Sequence, residues 1–244
     1  MSNYSSTSRP KVVAIIQARV GSTRFPKKIL AKLGGHSLID WILFRVLQAT
    51  QIDQVIVAIP ETLENQVLIP IVESYGCECV LGSEQDVLAR FVKAVDYSQA
   101  DVVVRICADN PLIASEELDR LINYFLENNF DYAFNHIPKL DNQYPDGLGA
   151  EILSADLLKK IANQNSDLNH REHVTSYIWD HQDQYKMGVL KAPLEISYPS
   201  IKLDIDTPRD FKRLQTLLDG KPRDISVKEI IAVWFSTEKA FECS

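Results

Sequence analysis

The chain has 244 residues, 45% of them hydrophobic and 24% charged, which allows one large domain with a sizeable core. Its formal net charge of -7 at pH 7 argues against broad binding to nucleic acid or to anionic membranes, but leaves room for a local basic pocket. The opening "MSNYSSTSRP" lacks the apolar stretch of a signal peptide and no apolar run reaches transmembrane length, so a cytoplasmic protein is expected.

Strand-like and helix-like segments alternate along the chain. "VVAIIQA" (12–18) reads as a strand rich in β-branched residues. From Ser37, the positions Ile39, Ile42, Leu43, Val46 and Leu47 fall on one helical face. "QVIVAIP" (54–60) predicts a second strand, followed by a helix from Thr62 to about Tyr75. "CECVLG" (77–82) predicts a third strand, and a helix over about 85–95 follows it. "DVVVRICA" (101–108) predicts a fourth strand, and "SEELDRLINYFLEN" a helix with Leu118, Leu121, Ile122, Phe125 and Leu126 aligned. Beyond Phe130 the expected elements are a strand at "DYAFNH", Pro and Gly turns before "AEIL", and a helix over "HREHVTSYIWDHQ". A strand at "IKLDID" then leads to a helix capped by Thr207 with Pro208 at its first position.

Such alternation implies a mainly parallel sheet flanked by helices, a Rossmann-like α/β fold. Residues 11–220 are read as one domain, with 1–10 a disordered tail. Residues 221–244 form an extension whose Trp234 and Phe235 pack on the domain or on a partner chain. The four cysteines fit a reducing compartment. Cys77 and Cys79 form a C-x-C pair with no second cluster to complete a metal site.

In open α/β sheets ligands bind beyond the carboxyl ends of the strands. The first strand ends there in "QARVGSTRFPKK", which gathers Arg19, Arg24 and Lys28 around Gly21, Ser22 and Thr23. Glycine lets backbone N–H groups approach phosphates, and arginine grips phosphate oxygens in pairs. A polyphosphate is the ligand such a loop suits. Neither G-x-x-x-x-G-K-[ST] nor G-x-G-x-x-G is present, so the loop is neither a Walker loop nor a dinucleotide fingerprint.

The string "QARVGSTRFPKKIL" resembles the R-x-x-S-x-R-x-P-x-K signature of the cytidylyltransferases that activate acidic sugars. "LGSEQDVLARF", "DVVVRICADNPLI", "YPDGLGAEIL", "REHVTSYI" and "LDIDTPRDF" resemble, in order, further blocks of the spore-coat-polysaccharide-type branch. The 3-deoxy-manno-octulosonate and sialic acid cytidylyltransferases are similar but more distant. The resemblance runs from about Lys11 to about Leu218. It implies a nucleotidyltransferase fold and attack by a sugar hydroxyl on the α-phosphorus of CTP, releasing pyrophosphate. The partners it implies are CTP, a sugar or sugar-acid acceptor and a second copy in a homodimer, with no nucleic acid and no membrane.

The nucleotide-binding set implied by the resemblance is Gln17, Ala18, Arg19, Gly21, Ser22, Arg24 and Lys28, with Arg19, Lys28 and Asp109 catalytic. A triphosphate reaction calls for Mg2+, and Asp109 and Asp206 match the family's metal-binding aspartates. Ser83 and Glu84 are read either as base or ribose contacts or as helix N-terminal chemistry. Arg105, a cation inside an apolar strand, faces the nucleotide or pairs with a carboxylate. Asp146, Glu151, Arg171 and His173 are the acceptor-side candidates, Arg171 being suited to a substrate carboxylate. Gly149 and Asn110 depart from the family's pattern, where an acidic residue and a cysteine are common. Two other readings stand beside this one. A nucleotide-sugar glycosyltransferase would use "DID" (204–206) as a D-x-D metal motif, and a non-catalytic nucleotide-binding protein would bind without turnover.

Overall fold

The computed structural model describes residues 9–242. Strand β1 (Val12–Gln17) is buried almost throughout and is an interior strand of a seven-stranded sheet. Next come a hairpin, β2 (Lys32–Leu33) with β3 (His36–Ser37), helix α1 (Leu38–Val46) and strand β4 (Gln54–Pro60). They are followed by α2 (Leu68–Ser74), β5 (Glu78–Gly82), α3 (Val87–Ser98), β6 (Val102–Cys107) and α4 (Ser115–Glu127). The second half holds β7 (Tyr132–Phe134), β8 (Glu151–Ser154), α5 (Ala155–Gln164), α6 (Leu168–Glu172), α7 (Ser176–Asp180) and β9 (Met187–Val189). Helices α8 (Pro208–Leu217) and α9 (Val227–Glu242) close the chain.

The strand order is β5-β4-β1-β6-β8-β7-β9. β1 pairs in parallel with β4 and with β6, and β4 in parallel with β5. β8 runs against both β6 and β7, while β9 is parallel to β7, so β8 alone is reversed. Successive side chains of β1 serve opposite faces, as a pleated strand requires. Val12, Ala14 and Ile16 pack with α1, α4, α8 and α9, whereas Val13 and Ile15 pack with α3, α5 and α7. The chain leaves β1 toward β4 and β5 and then returns to the other side of β1 as β6. The topological switch point therefore lies between β1 and β6, where Gln17 is in register with Cys107.

Three expected elements differ. The segment 201–206 buries Ile201, Leu203 and Ile205 with strand-like alternation but forms only an isolated bridge, between Lys202 and Asp146. Its backbone partners are split: Leu203 donates to Asp146 O, and Ile205 donates to Asp109 O. The single helix expected over 170–182 is broken into α6, α7 and a 3-10 turn at Gln182–Gln184. Val174 and Thr175 dip into the core there, where Thr175 Oγ1 donates to the buried carboxylate of Glu151. The helix expected from Thr62 begins as a 3-10 turn, Leu63–Val67, before α2.

The extension packs on its own domain. Arg45 of α1, 5% exposed, donates to the carbonyls of Ile113, Arg223 and Ile225. Ile230, Ile231 and Trp234 of α9 are buried, and the Arg213 guanidinium lies 5.2 Å over the Trp234 ring. The expected tail falls mainly outside the described residues; Arg9 pairs with Asp53 at 3.5 Å. Among the described residues no helix is long and apolar enough to cross a membrane.

Candidate active site

A cavity of about 380 Å³ opens at the switch point. Gln17, Arg19, Gly21, Ser22, Thr23, Arg24 and Lys28 line one side of it, Arg105, Cys107 and Asp109 another, and Asp206 a third. Of the expected nucleotide contacts, Ala18 turns its side chain into the core, 1% exposed, and its N–H donates to Ala58 O.

The β1 loop is pinned at both ends. The Val20 N–H donates to Asn65 Oδ1 at 2.7 Å, and Asn65 is itself wholly buried. Phe25 packs edge-on against Phe211 of α8, with centroids 5.5 Å apart. Lys27 takes a left-handed φ of 58° to turn the chain into a 3-10 segment, Lys28–Leu30. Lys28 Nζ then donates to Ile205 O. The Arg24 guanidinium caps both oxygens of Asp206, each at 3.0 Å.

Arg105 stands in the sheet with its charge satisfied. It donates to Glu151 of the neighbouring β8 and, at 3.1 Å, to Gln17 Oε1. Glu151 also accepts from Tyr132 and Thr175, each at 2.5 Å. Burial alone would raise its pKa; Arg105, then His136 and those hydrogen bonds, outweigh burial and hold it at about 2. Glu151 is thus a buried partner of Arg105 rather than an acceptor contact.

Arg171 is also committed. Its Nε donates to Asp86 at 2.6 Å, and its Nη1 to Ala162 O and Asn165 O at 2.9 and 2.8 Å. These bonds replace the substrate carboxylate expected for it. Arg171 fastens α6 to the α3 N-cap, Asp86, and so presents the next two residues, Glu172 and His173, to the cavity. Ser83 and Glu84 are exposed beside the cavity without lining it; Ser83 accepts from the Asp86 N–H and from Arg90. Asp146 lies next to the acidic edge. Burial, then Asp204, raises its pKa to about 7, with Asp109 and Asp206 adding to the shift.

Sequence reasoning missed Arg90, Glu172 and Cys107. Arg90 lies fully inside α3, where burial and then the charge of Arg19 pull its pKa down to about 10. Only the fold brings it beside Arg19. Burial pushes the Cys107 thiol up to about 12, so it stays protonated. The departure at Gly149 has a steric basis: a Cβ there would stand 2.1 Å from Asn135 Oδ1, which accepts from the Ala150 N–H.

Among the described residues no group of three or more His, Cys, Asp or Glu side chains could hold a metal by itself. Asp109 and Asp206 nevertheless offer hard carboxylate oxygens to one cavity. That donor set fits Mg2+, which takes one or two carboxylates and completes its shell with phosphate oxygens and water. The D-x-D reading fits less well. Asp204 is 8% exposed, does not line the cavity and lies 3.4 Å from Lys202, so only one of the two carboxylates is presented.

Comparison with known proteins agrees with this architecture. The chain is 37% identical over 202 residues to an uncharacterised protein of Methanocaldococcus jannaschii, covering 83% of this chain and 81% of that one. It is 33% identical over 229 residues to the spore coat polysaccharide biosynthesis protein SpsF of Bacillus subtilis, covering 91% and 93%. The structure of a cytidylyltransferase from Leptospira borgpetersenii superposes with a TM-score of 0.86 at 26% identity, covering 95% of this chain and 96% of that one. The cytidylyltransferase family profile matches residues 13–238. With that match spanning the sheet, the basic loop and the acidic edge, the chain belongs to the cytidylyltransferase family.

Proposed function

We propose that the chain transfers CMP from CTP to a hydroxyl of an acidic or otherwise modified sugar, releasing pyrophosphate, in the assembly of a cell-surface polysaccharide or glycan. One observation carries this reading: the cations of the β1 loop and the carboxylates of Asp109 and Asp206 line one cavity at the switch point.

The chemistry is phosphoryl transfer, so positioning and charge stabilisation do the catalysis. Arg19, Arg24 and Lys28 bind the triphosphate and neutralise charge on the departing pyrophosphate. Gly21 and Ser22 bring their N–H groups to the phosphates, and Gln17 and Arg105 form the floor. Asp109 and Asp206 would hold Mg2+, which when bound neutralises phosphate charge and aligns the reacting oxygens. Glu172 and His173, held out by Arg171, meet the acceptor. The same reading carries a homodimer, which sedimentation tests.

The test is pyrophosphate release from CTP, UTP, ATP and GTP with Mg2+ and a mixed panel of sugar acids and amino sugars. CTP is expected to be preferred. A clear preference for a purine triphosphate, or CTP binding without turnover across a broad acceptor panel, overturns the proposal.

A further inference from the structure

We propose that Arg24 is a releasable lock on Asp206, which withholds that carboxylate from a divalent cation until a triphosphate draws the guanidinium away. This rests on the reading that Asp109 and Asp206 hold the cation of a CTP reaction.

Both oxygens of Asp206 accept from Arg24, Oδ2 from Nη1 and Oδ1 from Nη2, each at 3.0 Å. This two-pronged geometry covers the donor atoms a metal needs. Lys202 Nζ is 3.9 Å from Oδ2 and closer, at 3.4 Å, to Asp204, so it adds charge without covering the carboxylate. Arg24 and Asp206 line the same cavity as Arg19 and Lys28. A guanidinium leaving Asp206 therefore has a phosphate subsite within the same walls.

The lock is built to move alone. The Arg24 side chain is 68% exposed, whereas the backbone around it is held by Phe25 on Phe211 and by Val20 on Asn65. Opening is a side-chain rotation that exchanges one anion gripped through two oxygens, the planar carboxylate, for another, the tetrahedral phosphate. Exposed ion pairs are weak, which keeps the exchange reversible. Because nucleotide and cation then each remove the obstacle to the other, their affinities are coupled with the same factor in both directions.

The experiment titrates Mn2+ into the full chain, with free ion followed by electron paramagnetic resonance, with and without CTP. Parent, Arg24→Lys and Arg24→Ala are compared. Lysine keeps the charge but cannot cover two oxygens in a fork. Mn2+ alone is expected to bind Arg24→Lys about fivefold tighter than parent, which is ~1 kcal/mol, the upper worth of an exposed pair. CTP alone should bind that variant more weakly, and the tightening of Mn2+ by CTP should shrink. If only Arg24→Ala gains Mn2+ affinity, simple charge repulsion is at work and the lock is overturned. Unchanged Mn2+ affinity in both variants overturns it as well. Asp206→Asn separates the two levels: if it leaves Mn2+ affinity with CTP unchanged, the metal assignment itself fails.

Discussion

The backbone N–H of Ile205 donates to the carbonyl oxygen of Asp109 at 2.8 Å. This single bond joins the loop after β6 to the approach to α8. It fixes Asp109 and Asp206, 97 positions apart in the chain, at one edge of one cavity. Lys28 Nζ reaches the carbonyl of the same Ile205, so the basic loop is tied to the same point.

Lys28→Ala should lower pyrophosphate release at least about tenfold, since a cation opposite developing charge is worth over ~1.4 kcal/mol. Lys28 is half-buried in a 3-10 turn whose core contact is made by Ile29, so the fold should survive. Normal turnover in a folded variant would remove Lys28 from the site.

Asp109→Asn and Asp206→Asn should each weaken Mg2+-dependent turnover, and their combined loss should be less than additive. Residues acting on one ion fail as a unit. Pyrophosphate release against Mg2+ concentration, for both single variants and the double, makes the comparison. Additive losses with an unchanged Mg2+ profile would show that the two carboxylates do not share an ion.

Arg171→Ala should raise the acceptor KM several-fold while leaving the CTP KM near that of the parent. It removes the bonds to Asp86, Ala162 and Asn165 that hold out Glu172 and His173. A stability loss of ~1–2 kcal/mol is expected for those half-buried polar contacts. If Arg171 met the substrate directly, Asp86→Asn would leave the acceptor KM unchanged; here it should raise it too.

Two carboxyl groups give opposite pH signatures. Glu151 titrates at about 2 against an ordinary 4.5, so its stabilisation is present above pH 4.5 and is lost as pH falls through about 2. Glu151→Gln leaves Arg105 without its anion, a change that costs ~3–5 kcal/mol at neutral pH, and the gap to the parent should close in acid. Asp146 titrates at about 7 against an ordinary 3.8, so its contribution is fully present below pH 3.8 and is lost as pH rises through about 7. Asp146→Asn should therefore raise Tm relative to the parent at pH 8.5 and less so at pH 5.5. Thermal melts across pH 3–9 would test both; parallel curves would contradict both assignments.

The first half of the fold was legible because each apolar run is long and periodic. β1, β4 and β6 and helices α1, α3 and α4 lie where alternation or a 3.6-residue repeat places them. The second half was less so. Thr175 is drawn inward by a hydrogen bond to Glu151, which breaks a helix that local pattern favours. Residues 201–206 carry a strand's alternation, but their backbone partners lie in two separate loops, a matter of tertiary placement. In the site, the basic loop and Asp109 follow strands and were visible by position. Arg90 projects from a helix interior and Arg171 finds Asp86 85 residues away, and neither relation leaves a periodic trace.

Arg45 bears on how this protein can be shortened. Its guanidinium takes two of its three acceptors from Arg223 and Ile225, beyond the last family motif. A gene trimmed at residue 220 would leave a buried cation with one carbonyl and uncover the surface that α9 shields. Such a fragment is expected to accumulate in inclusion bodies even though it retains every residue of the cavity. For expression work the motif boundary is the wrong place to cut.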